Sequence, residues 1–215
     1  MGDTVSDFLK DSAATLKDQL RQFHTDENCT FGQFGADITL LRCPEVLNIA
    51  RLLANRGVFL EVLPVLRLCL EMASWSSVAN FIVDEDEVRR LSARACISKM
   101  KAVYESVGKV YGYLSEFSHW EHEIHTYFLT LEAEQVAVVL GSCKHRAMSL
   151  ALCLVILDIL VEIIRYIYST SANALITSIQ GVPDRTRDRR THRLISNIVE
   201  FSQSQDLRRL QSLLR

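Results

Sequence analysis

One segment constrains the fold more than any other: residues 144 to 180 form the most apolar stretch of the chain. Residues 147 to 167 within it are long enough to cross a lipid bilayer as a helix. Asp158, Glu162 and Arg165 interrupt this stretch at positions i, i+4 and i+7, which puts three charges in one stripe on one helix face. Because each charge would be costly in lipid, the pattern favours a central helix of a soluble bundle over a membrane span.

The chain before this segment also has a helical pattern. Apolar residues recur with a helical period over residues 5 to 24, 44 to 55, 59 to 83 and 84 to about 119. Residues 25 to 43 lose that period and contain Gly32 and Gly35, so a loop is predicted there. Pro44 suits the first turn of the next helix, and Gly57 is predicted to end it. Asp84 is predicted to cap the helix that follows.

Two β-prone runs stand out against this helical background. They are TYFLTL (residues 126 to 131) and QVAVVL (residues 135 to 140), and three residues separate them, which predicts a small hairpin at about 126–140. The predicted fold class is therefore all-α: a helical bundle of five to seven helices with one small β-hairpin insertion. Residues 1–182 are predicted to form the bundle domain and residues 183–215 a basic C-terminal helical tail.

The charge of the chain is unevenly distributed. Residues 183 to 215 contain eight arginines and four acidic residues, a net charge of +4, and the whole chain carries −2, so the remainder carries −6. A basic tail on an acidic body indicates contact with RNA or a nucleotide, or docking on a protein or on a second copy of the chain. No membrane partner is expected. The scattered cysteines, with no CxxC pair, and a polar, acidic beginning predict a cytoplasmic protein.

Arg67 and Glu71 are the first candidates for chemistry. They lie four residues apart within an apolar run, so they share one face of a predicted helix. One interpretation is an intrahelical ion pair at the bundle surface, which adds little stability. The other is that the apolar flanks force both charges into a partly buried pocket, where charged groups must be paired and often belong to a functional site.

Ser115, Glu116 and His119 form a second group, in which His119 lies one helical turn after each of the other two. If their helix packs antiparallel against the helix of Arg67, His119 meets Glu71 and Ser115 meets Arg67. A carboxylate beside the imidazole raises its pKa and fixes its tautomer, as an acid/base group requires. The alternative is a histidine that bonds a carboxylate for structural reasons alone.

Glu116 and His119 also form an E-x-x-H motif, which is half of a di-iron carboxylate site. The complete site needs that motif on two helices and two more glutamates, and the sequence contains no second copy. His122 and His125 continue the three-residue spacing, but three histidines so spaced turn around a helix and do not face one ion. No metal ion or other cofactor is predicted.

A third candidate is the string RDRRTH, which spans Arg187 to His192 and has the pattern R-x4-H. The pattern resembles an element of the bundle-type ribonucleases of the HEPN superfamily. The resemblance implies that Arg187 holds a phosphate and that His192 takes part in the chemistry of the ribose 2′-hydroxyl. Arginine is frequent in this region, however, so chance also produces such a spacing.

A wider resemblance covers roughly residues 45 to 170. The order of an R-x3-E helix (Arg67, Glu71), a Y-x-x-L-S-E-x-x-H helix ending at His119, a hairpin and a long apolar helix resembles a bacterial family of uncharacterised helical proteins. Some members look HEPN-like, which implies a role in antiviral defence or toxin systems. Trp120 follows the histidine where a small residue or proline is expected in that family.

Two functions follow from these patterns. In one, the chain is a metal-independent ribonuclease or a nucleotide-responsive defence protein, with Arg67 for phosphate, His119 as acid/base and Glu71 to orient it. Ser115, Glu116, Arg187 and His192 then contribute to binding. In the other, the Arg–Glu–His group is a structural polar core of a non-catalytic binding or assembly module, and the basic tail is its contact surface.

Overall fold

The computed structural model describes residues 2–22, 29–118, 129–132, 135–138, 143–168 and 190–202. Within those ranges the chain is a bundle of helices with one pair of four-residue strands, which confirms the predicted all-α class. The helices are α1 (Gly2–Gln22), α2 (Phe31–Asn55), α3 (Phe59–Ala79), α4 (Glu85–Arg89), α5 (Ala93–Met100), α6 (Val107–Ser118), α7 (Cys143–Tyr168) and α8 (Arg190–Ser202). These eight exceed the predicted five to seven.

The extra helices arise where one long helix is predicted, from residue 84 to about 119. Asp84 does cap α4, because its Oδ1 accepts a hydrogen bond from the amide three residues on at 2.8 Å. Ser92 then caps α5 in the same way at 3.3 Å. A serine that bonds the amide ahead of it favours a new helix start over continuation, so the single long helix is wrong. Gly108 and Gly112 lie inside α6.

The loop predicted for residues 25 to 43 is also wrong from Phe31 onward. Thr30 and Gln33 form a capping box that starts α2, with side chain to backbone bonds of 3.2 and 2.9 Å. A Cβ on Gly32 would lie 2.2 Å from a main-chain carbonyl oxygen at the end of α3. This glycine therefore permits close packing of two helices, and Pro44 lies in the interior of α2 instead of its first turn.

Other predicted boundaries agree with the structure. Gly57 follows the end of α2 with φ 74°, the left-handed conformation that glycine adopts most readily. The helix α3 begins at the predicted Phe59. The basic tail, predicted as helical, is described only over α8.

The helix α7 lies at the centre of the bundle. It packs against α1, α2, α3 and α8, and its side chains from Met148 to Val161 are buried all round. Both α3 and α7 are long and apolar enough to cross a bilayer by length and composition. The other helices bury 89% of the apolar window of α7, however, and 56% of that of α3.

Two strands of four residues each, β1 (Leu129–Glu132) and β2 (Gln135–Val138), pair antiparallel. Leu129 lies opposite Val138 in their register. The other residues of the range 126–140, for which a hairpin is predicted, lie outside the described residues. The side chains of the core come from the helices α1, α2, α3, α5, α6, α7 and α8.

Candidate functional site

Asp158 is a carboxylate in the middle of the central helix with no exposed surface. The hydroxyl of Tyr104 donates to its Oδ2 at 3.2 Å, and the hydroxyl of Thr191 donates to its Oδ1 at 3.1 Å. A buried carboxylate is costly unless hydrogen bonds compensate for lost water, and these donors supply that compensation. Each carboxylate oxygen of Asp158 thus accepts a hydrogen bond from a neutral hydroxyl group.

His192 brings an imidazole to the same carboxylate. Its Nε2 lies 3.3 Å from Asp158 Oδ2, and its side chain is 11% exposed. When Asp158 is ionised it only accepts hydrogen bonds, and this contact is then a hydrogen bond when Nε2 of His192 carries a proton. In the neutral imidazole, Nδ1 then holds the lone pair that can accept a proton from another molecule.

Three separate elements build this group, which is called the Asp158 cluster (Tyr104, Asp158, Thr191 and His192). Tyr104 comes from the turn between α5 and α6, and Asp158 comes from α7. Thr191 and His192 lie in the first turn of α8, which packs on α7 through the buried Ile195 and Ile198. The cluster therefore depends on how α8 docks.

A second polar group, the Arg67 triangle (Arg67, Glu71 and Tyr111), joins α3 to α6. Arg67 Nε donates to Glu71 Oε1 at 3.0 Å, and Arg67 Nη2 donates to the Tyr111 hydroxyl at 3.2 Å. The Tyr111 hydroxyl in turn donates to Glu71 Oε1 at 3.0 Å. The side chains of Arg67 and Glu71 are 25% and 24% exposed, so the triangle is half-buried.

The triangle keeps Arg67 in its charged form. Burial lowers the pKa of the Arg67 guanidinium. The hydrogen bonds and electrostatic interactions with Glu71 and Tyr111 together raise it by more, so the pKa lies above its usual value. The Tyr111 ring also lies beneath the guanidinium, 5.3 Å from its Cζ to the ring centroid. The predicted pairing of Arg67 with Glu71 in a partly buried setting is confirmed.

The structure places the other predicted site residues differently. Ser115, which was predicted to meet Arg67, forms no hydrogen bond with it, because the Ser115 hydroxyl is buried without a hydrogen-bond partner. Tyr111, one turn earlier on α6, takes that place. Glu116 is exposed on the opposite side of the helix. His119 and Arg187 lie outside the described residues, so the contact of His119 with Glu71 stays a prediction.

His192 was predicted as a site residue and Asp158 only as a charge of the stripe on α7, and their contact was not predicted. Tyr104 and Thr191 were missed altogether. One signal was available: Asp158 is the first charge after a long apolar run, and a carboxylate there must find donors from neighbouring helices. Which helices supply them depends on packing, which helical periodicity does not encode.

Among the described residues, no three His, Cys, Asp or Glu side chains lie close enough together to hold a metal ion. What the Asp158 cluster offers is a proton acceptor oriented by a carboxylate, with hydroxyls that hold the carboxylate in place. Such a pair can move a proton to or from a bound hydroxyl group.

Comparisons of the chain with protein-family models, with curated proteins and with solved structures find no match.

Proposed function

We propose that the chain is a HEPN-like, metal-independent ribonuclease in which His192 is the acid/base group and Asp158 orients it. One observation carries the proposal: the histidine of the R-x4-H string lies 3.3 Å from a fully buried carboxylate. A histidine on an exposed connector has no need of such a partner. A carboxylate fixes the tautomer and direction of an imidazole that transfers protons.

The proposed chemistry uses Nδ1 of His192, the ring nitrogen that does not face Asp158. Nδ1 of His192 accepts the proton of a ribose 2′-hydroxyl, whose oxygen then bonds to the adjacent phosphorus. The bond from phosphorus to the 5′ oxygen breaks, and that oxygen takes a proton from water. Arg187, five residues before the histidine, holds the phosphate in this proposal, and the exposed Arg190 and Arg193 add positive charge beside it.

The test is cleavage of a labelled RNA pool by the pure protein in chelator. We expect His192→Gln to lose at least about 100-fold in rate. Asp158→Asn keeps the shape but loses the acceptor for Nε2–H, and a loss of about 10-fold or more is expected. Asp86→Asn, at an exposed aspartate of α4, is the matched control for Asp158→Asn and keeps the parental rate.

His119→Ala separates the two candidate centres. If it abolishes cleavage while His192→Gln does not, the catalytic group is Arg67, Glu71 and His119, and the assignment to His192 is wrong. If the parent protein cleaves no RNA under any of these conditions, ribonuclease activity is excluded for the isolated chain.

A second function is a non-catalytic binding or assembly module, with both polar groups serving as structural cores. The observation that favours it is the Arg67 triangle, whose three side chains satisfy one another. In this case the chain is a cytoplasmic protein that binds a protein partner or a second copy through its basic tail. Sedimentation of the full chain with the tail arginines Arg208 and Arg209 replaced by Gln, beside the parent, tests whether the tail mediates self-association.

A further inference from the structure

Arg51 is a buried guanidinium whose identified partners are neutral. It lies on α2 and is 8% exposed. Its Nε donates to Asn48 Oδ1 at 2.9 Å, and its Nη1 donates to Ser6 Oγ at 3.0 Å. No carboxylate of the described residues forms an ion pair with it.

This arrangement leaves a positive charge without an opposite charge beside it. An arginine side chain does not lose its proton in proteins, so Arg51 cannot become neutral when it is buried. Buried charges are usually paired, because hydrogen bonds to neutral oxygens replace only part of the lost hydration. An anion bound at this position would supply the missing charge.

The side chains around Arg51 are suited to an anion. Asn55, one turn further along α2, donates its Nδ2 to the same Ser6 oxygen at 2.7 Å. Arg146 of α7 donates its Nη2 to Asn55 Oδ1 at 3.4 Å. Helices α1, α2 and α7 therefore bring the guanidiniums of Arg51 and Arg146 into one hydrogen-bonded network with Ser6 and Asn55.

The beginning of α7 adds to this positive potential. The first amide groups of a helix point their hydrogens outward and carry a partial positive charge. Acidic side chains commonly occupy such a first turn, but that of α7 has none and contains Lys144, His145 and Arg146. An oxyanion at this end of the helix is favoured by the dipole and by the charges of Lys144 and Arg146.

A second polar atom nearby needs a partner. Ser149 is fully buried, and its hydroxyl has no hydrogen-bond partner. It lies three residues after Arg146, which puts the two side chains on the same face of α7.

We propose that Arg51, with Ser6, Asn55, Arg146 and the beginning of α7, binds a phosphoryl group. Guanidinium groups recognise phosphate through paired, charge-assisted hydrogen bonds. The phosphoryl group belongs to free phosphate or to a nucleotide, and both present the same oxyanion. This site shares no residue with the Asp158 cluster, so it does not depend on the proposed ribonuclease activity.

The experiment uses the intact chain and inorganic phosphate. Calorimetric titration measures binding, and thermal unfolding is followed in phosphate and in chloride of equal ionic strength. We expect one phosphate per chain and a higher unfolding temperature in phosphate, since a ligand of the native state stabilises it. Arg51→Met keeps the length of the side chain and removes its charge. Arg42→Met, exposed on the same helix, is the matched control.

Loss of phosphate affinity by about tenfold or more in Arg51→Met, with parental affinity in Arg42→Met, supports the site. Retained affinity in Arg51→Met, or no effect of phosphate on the parent beyond that of chloride, overturns it. If Arg51→Met does not fold, Arg51→Lys decides, because lysine keeps the charge but cannot make paired bonds. Severalfold weaker binding is then expected, and unchanged binding contradicts the proposal. A parallel titration with AMP distinguishes a nucleotide from free phosphate.

Discussion

The Asp158 cluster and the Arg67 triangle each combine a carboxylate with a tyrosine hydroxyl and a nitrogen group, but they differ in depth and in reach. Asp158 has no exposed surface and joins α7 to α8 and to the turn before α6. Glu71 is 24% exposed and bonds an arginine one turn away on its own helix. Depth makes each bond of the first group costly to lose, and exposure lets water replace those of the second.

The largest expected effect comes from removing the buried carboxylate. Asp158→Ala leaves the hydroxyls of Tyr104 and Thr191 and the imidazole of His192 without their acceptor. We expect the free energy of unfolding to fall by about 3 kcal/mol or more, measured by urea denaturation. Glu105→Ala, at an exposed carboxylate beside Tyr104, should change it by less than about 0.5 kcal/mol. Equal losses in the two variants would show that Asp158 is not the buried anchor described.

The same chemical change can be made in both groups. Tyr104→Phe and Tyr111→Phe each remove one phenol hydroxyl and keep the ring. We expect a loss of about 1.5 kcal/mol for Tyr104→Phe and about 0.5 kcal/mol for Tyr111→Phe, because only the first leaves a fully buried oxygen with fewer donors. The measurement is again denaturation in urea. A larger loss for Tyr111→Phe reverses the ranking of the two groups.

The ion pair of the Arg67 triangle is expected to stabilise the fold less than the buried hydroxyl of Tyr104 does. A double-mutant cycle of Arg67→Met and Glu71→Gln should give a coupling energy of about 0.5 kcal/mol, since the pair is half-buried and within one helix. Raising the salt concentration should reduce it. A coupling above about 2 kcal/mol would place the triangle among buried networks.

The smallest expected effect concerns a second described histidine. His145 stacks on Phe59, with ring centroids 5.7 Å apart. Burial, and then the charge of Lys144, lower the pKa of His145 below its ordinary 6.5. The unfolded chain therefore binds more protons just below pH 6.5, so stability falls as pH decreases from about 6.5 toward the lowered pKa and then levels off.

Replacing His145 should remove its contribution to the pH dependence of the free energy of unfolding. In His145→Phe, which keeps an aromatic ring against Phe59, urea denaturation between pH 7.5 and 5 should show a shallower loss of stability than in the parent. An unchanged slope in His145→Phe would contradict the assignment.

The all-α fold class could be predicted from the sequence, but not every point where a helix begins or ends. The charged stripe of α7 correctly indicated a helix packed inside a bundle, because charges at i and i+4 fall on one face. The capping bond of Ser92 and the close approach at Gly32 were not foreseen. Glycine is ambiguous in a sequence: it marks a turn or a tight helix contact, and only the packing partner decides.

The contacts of the two polar groups also differ in how far they could be predicted from the sequence. The pairing of Arg67 with Glu71 is local, four residues apart, and periodicity predicted it. The pairing of Asp158 with His192 joins residues 34 positions apart, and it depends on where α8 docks. Tyr111 replaced Ser115 by a shift of one helical turn, which is within the error of placing two helices side by side from sequence alone.

The central position of α7 has a consequence for how the protein is made. Residues 143 to 168 complete the core, yet they are synthesised after six other helices. At roughly 5 to 20 residues per second, several seconds pass between the emergence of α2 and that of α7. During this interval the apolar faces that α1, α2 and α3 turn toward α7 have no partner from their own chain. A nascent chain that stops before Cys143 thus exposes apolar surface that the complete chain buries.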